Sequence, residues 1–235
     1  MTRAPGSTLS GMSAVSAVAQ DYLKAVYGAG EWTGTGVSTS ALAARLGVSA
    51  STVSETVRRL SDAGLLEHER YGLVTLTPEG RTAALAVVRR HRLVETYLVE
   101  RLGYSWDEVH EEAEELEHAM SDRLLARMDA ALGHPTRDPH GDPIPRPDGT
   151  VPQPPAVPLA SLPEAGSGRV ARISDAEPEV LRYLSEVGIG LDVVIGVTAI
   201  REAAGTTAVT VGAEGAPVEL GAGAVASIWV VTPPG

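Results

Sequence analysis

The chain has 235 residues, 43% of them hydrophobic but only 4% aromatic, with no Phe, no Cys and a formal net charge of −11. This is too apolar for wholesale disorder, must build its cores from Val, Leu, Ile and Ala, and excludes disulfides, thiolate metal sites and a Cys nucleophile. The acidic balance argues against a protein that coats nucleic acid indiscriminately, because phosphate binding wants cations.

Met1 to Ser10 holds one Arg and no apolar stretch, so it does not read as a signal peptide. No apolar run approaches the roughly 20 residues that span a bilayer, so a soluble, cytoplasmic chain without membrane partners is expected. Residues 1–12 read as a flexible lead. From Val15, the apolar positions Val18, Tyr22 and Val26 recur at helical spacing and predict a helix ending near the Gly28–Gly34 cluster. A short helix from Ser40 to Leu46 stops at Gly47. Ser49 then offers an N-cap oxygen, and a helix follows from about Ala50 to Ala63 with Val53, Val57 and Leu60 inward and Gly64 closing it. Two short strands, Leu65–Glu69 and Leu73–Leu76, flank a turn at Tyr71-Gly72.

From Pro78 the chain reads as helical to about Glu100, with Gly103 as the break. A strongly charged helix is predicted from about Ser105 to Ala131. Residues 134–163 hold 10 of the 16 prolines, which excludes regular helix or central strand and suggests an extended linker. The last segment has β-type runs at Val170–Ile173, Val193–Ala199, Ala208–Val211 and Ser227–Val231, with a short helix from Pro178 to Val187. Its size suggests a small SH3-like β-barrel.

Two constellations carry chemistry. Helix, tight turn at Gly47-Val48 and second helix, then a hairpin, make a winged helix-turn-helix. Its second helix would present Ser51, Thr52, Ser54, Glu55 and Arg58 to the major groove of double-stranded DNA, with Ser49 at the helix start and Arg70 near the wing tip. The second constellation is acidic. Residues 105–122 carry eight acids and no Lys or Arg. His91 and Glu95 stand at i, i+4, while His110, Glu114, Glu117 and His118 follow at i, i+4, i+7 and i+8, so each set shares a helix face. Uncompensated carboxylates with imidazoles on one stripe ask for a cation. His68 and His134 fall outside this pattern and read as wing or surface residues. An enzyme reading finds little: His110-Glu111-Glu112-Ala113-Glu114 begins like the zinc-protease HExxH but has Glu where the second His is needed.

RRHRLVETYLVERLGYSWDEVHEEAEELEHAMSDRL, the following DPHGDPIP and the early AQDYLKAVY resemble the iron- and manganese-dependent repressors related to the diphtheria toxin repressor. The resemblance covers about residues 13–235, and is greatest to the manganese-responsive, actinobacterial type that keeps a C-terminal SH3-like domain. It implies a mainly α fold with β. Residues 13–78 would be a winged helix-turn-helix and 79–145 a metal-binding and dimerisation domain, with 146–167 a Pro-rich linker and 168–235 an SH3-like domain. By position, a primary metal site maps onto Asp21, Glu114, Glu117 and His118. An ancillary site maps onto His91, Glu95 and His110, completed from Asp175, Glu177, Asp138 and His140.

In iron-type members Met stands at the position of Asp21 and Cys at that of Glu114. Carboxylates at both places imply Mn²⁺, with Fe²⁺ as the alternative and Co²⁺, Ni²⁺, Zn²⁺ or Cd²⁺ as substitutes in vitro. Some short manganese-type members carry a further carboxylate where this chain has Lys24, which speaks against a binuclear cluster of that kind. The implied function is a homodimeric, Mn²⁺-activated repressor that binds operator DNA of metal-uptake genes. The alternatives are an Fe²⁺-dependent regulator and, more distantly, a carboxylate-rich metallohydrolase.

Overall fold

A computed structural model of the protein describes residues 16–68, 72–212, 215 and 217–233. Val15, the 1–12 lead, Glu69, Arg70 and Tyr71 lie outside the described residues. Two compact units emerge, one ending at Arg90 and including Pro145–Thr150, the other made of His91–Ile144 and the chain from Val151.

The first unit opens with α1 (Ala17–Glu31), capped by Ser16, whose side chain accepts the Ala19 amide. Tyr22 and Val26 are buried as the spacing predicts, but Val18, one turn earlier, is 53% exposed. The helix runs through Gly28 and Gly30 and ends at Glu31, within the Gly28–Gly34 cluster where the sequence places its end. A Cβ on Gly30 would meet the Thr35 carbonyl at 2.8 Å, so glycine at that place lets the following loop fold back against the helix.

Helices α2 (Thr39–Leu46) and α3 (Ala50–Asp62) are capped by Ser38 and Ser49, and Gly47 between them takes the left-handed conformation at φ 64°. Val53, Thr56, Val57 and Leu60 form the buried face of α3. Strands β1 (Leu66–His68) and β2 (Val74–Leu76) pair antiparallel, Leu66 opposite Leu76, and Val37 adds an isolated bridge to Val74. Each starts one residue later than expected, and Leu73 is 52% exposed. Thr77 accepts the Gly80 amide and starts α4 (Pro78–Tyr97). A Cβ on Gly80 would lie 1.8 Å from the Leu65 carbonyl oxygen, so only glycine lets the helix start pass this close to the strand.

In the second unit, α4 ends in a π-helical turn, Leu98–Leu102, closed by Gly103 at φ 78°. The charged stretch expected as one helix is two, α5 (Val109–Glu117) and α6 (Asp122–Ala131). The break has a local cause: Ser121 takes extended backbone and its side chain accepts the Leu124 amide, starting a new helix. Val94, Leu98, Val109, Ala113 and Met128 form the helical core.

The Pro-rich stretch is partly packed. Asp138, His140, Asp142 and Ile144 are all buried. Further on, β3 (Val157–Pro158) and a 3-10 turn, Leu159–Ser161, belong to the β core through Leu159 and Leu162. That core is covered by β4 (Ser167–Ile173), α7 (Pro178–Glu186), β5 (Val194–Arg201), β6 (Thr206–Val211), β7 (Pro217–Gly221), α8 (Ala222–Ala226) and β8 (Ile228–Val231). The sheet is antiparallel with order β3-β8-β4-β5-β6-β7. Among the described residues β3 and β7 do not pair, so the small β domain is an unclosed sheet of SH3-like size. No described helix is long and apolar enough to cross a membrane.

Candidate metal centre

Four segments of the second unit bring donors together. His91 and Glu95 sit one turn apart on α4, and both are buried. His110 and Glu114 stand on α5, Glu117 is its last residue, and His118 is its C-cap. Because His118 keeps αR backbone (φ −82°, ψ −22°), the expected stripe survives the helix break.

His91 is the hub. Its Nδ1 lies 2.7 Å from Glu117 Oε2, and its Nε2 lies 3.0 Å from Glu95 Oε1 and 3.1 Å from His110 Nδ1. His110 Nδ1 is also 3.2 Å from Glu95 Oε1 and 3.4 Å from Asp175 Oδ2, while its Nε2 is 3.4 Å from Glu114 Oε1. His118 Nε2 lies 3.4 Å from Glu117 Oε1. Two donor groups result, His91–His110–Glu114 and Glu95–His140–Asp175, each with its ligand atoms within 4.8 Å of one another.

His140 arrives from the Pro-rich stretch. Its Nε2 lies 2.6 Å from the Trp106 carbonyl oxygen, which can only accept, so Nε2 carries a proton and donates it. In the neutral ring this leaves a lone pair on Nδ1, which is buried without a hydrogen-bond partner, 4.0 Å from Glu95 Oε2. A buried polar atom left unpaired costs free energy. A ring whose N–H is tied to a backbone carbonyl while the other nitrogen faces carboxylates is the arrangement of a metal-ligating histidine. The donor set is imidazole and carboxylate with no sulfur. A divalent cation fits it.

The electrostatics agree. Burial alone would raise the Glu95 carboxyl, but the charge of His91 and hydrogen bonds from His110 and His91 hold it well below the usual carboxylate range. Burial opposes the charged form of His140, but Asp138, Glu95 and Asp175 outweigh it and raise its pKa. Asp138, desolvated and facing Asp142 and Glu95, is pushed up to about 8.

Of the other expected ligands, Asp21 is half-buried on α1. Glu177 is exposed at the start of α7 and outside both donor groups. Asp138 Oδ1 accepts the amides of His140 and Asp142 at 2.8 and 3.0 Å, so it shapes the loop under His140. The sequence reading missed Arg92, Asp142, Arg172 and the Trp106 carbonyl, all of which hold this loop. The Asp138 and Asp142 that bracket His140 in DPHGDP were the available signal. The exposed His134 pairs with the buried Asp129, apart from the cluster.

On α3 the outward residues Ser51, Thr52, Ser54, Glu55, Arg58 and Arg59 are exposed. Ser49 accepts the Thr52 amide as the N-cap, and its hydroxyl lies 2.8 Å from both Ser51 Oγ and Thr52 Oγ1. Ser54 donates to the Ala50 carbonyl at 2.9 Å. The face is therefore a helix surface of small hydroxyls with two cations and one carboxylate, the kind a major groove admits.

Residues 14–74 match the N-terminal DNA binding domain of iron dependent repressors, residues 77–146 their metal binding and dimerisation domain, and residues 157–232 the FeoA domain. The chain is 58% identical to a solved manganese-dependent transcriptional repressor in complex with manganese, with a TM-score of 0.87, over 91% of this chain and 99% of that one. A second manganese-dependent transcriptional repressor is 50% identical, with a TM-score of 0.73, over the same shares. The iron-dependent repressor IdeR of Mycobacterium tuberculosis H37Rv is 42% identical over 124 residues, 53% of this chain and 54% of that protein. The chain spans about half the length of the curated relatives it matches.

Proposed function

From the premise that this chain belongs to the iron-dependent repressor family, which the likeness over the whole of a solved relative establishes, we propose that it is a Mn²⁺-activated repressor. As a homodimer it binds operator DNA when metal is plentiful, and metal-uptake genes are the targets the resemblance suggests. The observation that carries this is the sulfur-free cluster of His91, Glu95, His110 and Glu114 with the unpaired Nδ1 of His140. Hard oxygen donors suit Mn²⁺, although raw affinity rises toward the later metals.

A bound divalent cation would supply the positive charge that lets these carboxylates converge at low cost. Asp21, Glu114, Glu117 and His118 are proposed as the primary ligands. The support is the family resemblance for Asp21, and for the other three their place on or beside α5. His91, Glu95, His110, His140 and Asp175 are proposed as the ancillary set, and their distances support them. Asp21 belongs to the helix that precedes the α2–α3 reader, so ligation by Asp21 and α5 together would fix where each α3 stands in the dimer. Half-sites one helical turn apart, ~34 Å, demand one such separation. DNA must then strengthen metal binding as much as metal strengthens DNA binding. Ser51 and Thr52 are proposed to read base edges and Arg58 to hold phosphate. The same role for Arg70 rests on its place in the sequence.

Asp21→Met with Glu114→Cys tests the choice of metal. Met removes an anion and Cys prefers softer ions, so the Mn²⁺ response should fall relative to Fe²⁺ and Co²⁺ by about tenfold or more, roughly 1.4 kcal/mol. The readout is DNA binding against free metal under anaerobic conditions. An unchanged Mn²⁺-to-Fe²⁺ ratio would refute the assignment of these two residues.

A further inference from the structure

His140 sits on a stretch, 134–144, that has neither helix nor strand beyond one isolated bridge, Arg137 to Pro143. A ligand delivered by such a loop binds tightly only if the loop is held in place beforehand, since ordering it on binding would cost affinity. The structure shows what holds it. Arg92 lies on α4 between the donors His91 and Glu95 and is buried. Its Nη1 donates to the Pro143 carbonyl at 2.7 Å, its Nε lies 3.5 Å from Asp138 Oδ2, and its Nη2 lies 3.7 Å from Asp142 Oδ1.

From the other side, Arg172 on β4 donates its Nε to the same Asp142 Oδ1 at 2.7 Å, and the next residue, Ile173, donates its amide to the His140 carbonyl at 2.8 Å. Gly141 turns the loop at φ +91°, where a Cβ would fall 2.1 Å from the Ala171 carbonyl oxygen, so the loop lies directly on β4. Two guanidinium groups thus face two carboxyl groups, and all four side chains are buried.

We propose that Arg92, acting through Asp142 and together with Arg172, is the positioning group that aims His140 Nδ1 at Glu95 and Asp175, a role that rests on the metal-binding reading above. The network joins the three segments that donate to this group. Arg92 is on the helix of His91 and Glu95, Asp142 is on the loop of His140, and Arg172 precedes Asp175 by three residues. A fork of fixed geometry is needed here, because Arg92 must reach a carbonyl and two carboxylates at once, and a lysine ammonium cannot span them in the same way.

The test is a double-mutant cycle on the metal-free full chain, titrated with Mn²⁺ alone while the free ion is followed by its paramagnetic resonance signal. Arg92→Met should weaken Mn²⁺ binding by about 10- to 100-fold, the usual cost of losing a group that orients a ligand. His140→Ala should do the same, and the double variant should bind no worse than His140→Ala alone, because both changes remove one and the same contribution. Combining Arg92→Met with Asp175→Asn, which removes a separate ligand of the same set, should instead multiply the losses. If Arg92→Met does not fold, Arg92→Lys keeps the charge without the fork and carries the same cycle. Wild-type affinity in the Arg92 variant, or losses that multiply with His140→Ala, would overturn the positioning role and leave the proposed function standing. A wild-type chain that binds no Mn²⁺ would overturn both.

Discussion

Glu117→Gln separates a ligand from a packing residue more cleanly than any truncation here. Glu117 is fully buried, with one oxygen 2.7 Å from His91 Nδ1 and the other 3.4 Å from His118 Nε2. Glutamine keeps the volume, so no cavity opens, whereas Glu117→Ala would add a cavity cost to any loss of metal. Exchanging a charge-assisted hydrogen bond of about 1.5–3 kcal/mol for a neutral one of about 0.5–1.5 costs about 1 kcal/mol, partly offset because a buried carboxylate no longer needs desolvating. The fold should survive.

Metal binding should not, because an anionic donor is lost, and a hundredfold drop in Mn²⁺ affinity corresponds to about 2.7 kcal/mol. At free Mn²⁺ of about ten times the wild-type Kd, the wild type would be ~90% occupied and the variant ~10%. With a metal–DNA coupling of about 1–3 kcal/mol, most of the Mn²⁺-induced gain in DNA affinity then disappears. Fluorescence anisotropy of a labelled duplex across a Mn²⁺ series, beside circular dichroism melts without metal, reads both quantities. Wild-type Mn²⁺ dependence in the variant would refute the ligand role, and loss of the metal-free fold would show that Glu117 serves packing.

Two further outcomes are expected. Arg58→Ala should weaken binding to any duplex and flatten its salt dependence, while Ser51→Ala or Thr52→Val should mainly blur sequence preference, because phosphate contacts position and base contacts specify. An unchanged salt slope in Arg58→Ala would remove that residue from the phosphate contacts. The pH dependence has a definite sign. The folded pKa of His140 is raised, so the stability it gives is complete below its unfolded value near 6.5 and is lost as pH climbs through the folded value. Asp138, pushed up to about 8, acts in the same direction, while Glu95, held low, matters only as pH falls below about 4.3. The metal-free protein should therefore lose stability between about pH 6 and pH 8, while the Tm increase produced by Mn²⁺ grows, since the ion competes with the proton on His140. A Mn²⁺ increment that shrinks over that range would contradict His140 as a ligand.

The reader and half of the metal cluster were legible because their signals are local. The Ser49 cap, Gly47, and the Val53, Val57 and Leu60 spacing specify α2 and α3 within one short stretch, though not the Ser38 cap that starts α2. His91 with Glu95, and His110 with Glu114, share faces at i, i+4. The break at 118–121 was not visible, because the donor stripe runs through it and the only marker is the Ser121 cap. Val18 fits the apolar stripe of α1 yet stays exposed, since periodicity marks a face without saying how far its cover extends. β7 begins with Pro and carries Glu219, a composition only an edge strand tolerates, and α8 is five small residues. Pro-rich composition excluded helix correctly but could not tell a spacer from a packed loop. That Asp138, His140 and Asp142 are buried depends on Arg92 and Arg172, 48 and 32 residues from His140 in the chain.

Binding of the full chain to duplexes selected from a random pool, titrated with Mn²⁺, Fe²⁺, Co²⁺ and Zn²⁺ and compared with the metal-free protein, tests the central claim most directly. The account predicts tight binding to a two-fold symmetric sequence with half-sites about one helical turn apart. That binding should appear with Mn²⁺ and weaken at least fivefold when the metal is removed, the lower end of usual coupling. Equal affinity with and without metal, for every ion tried, would contradict it.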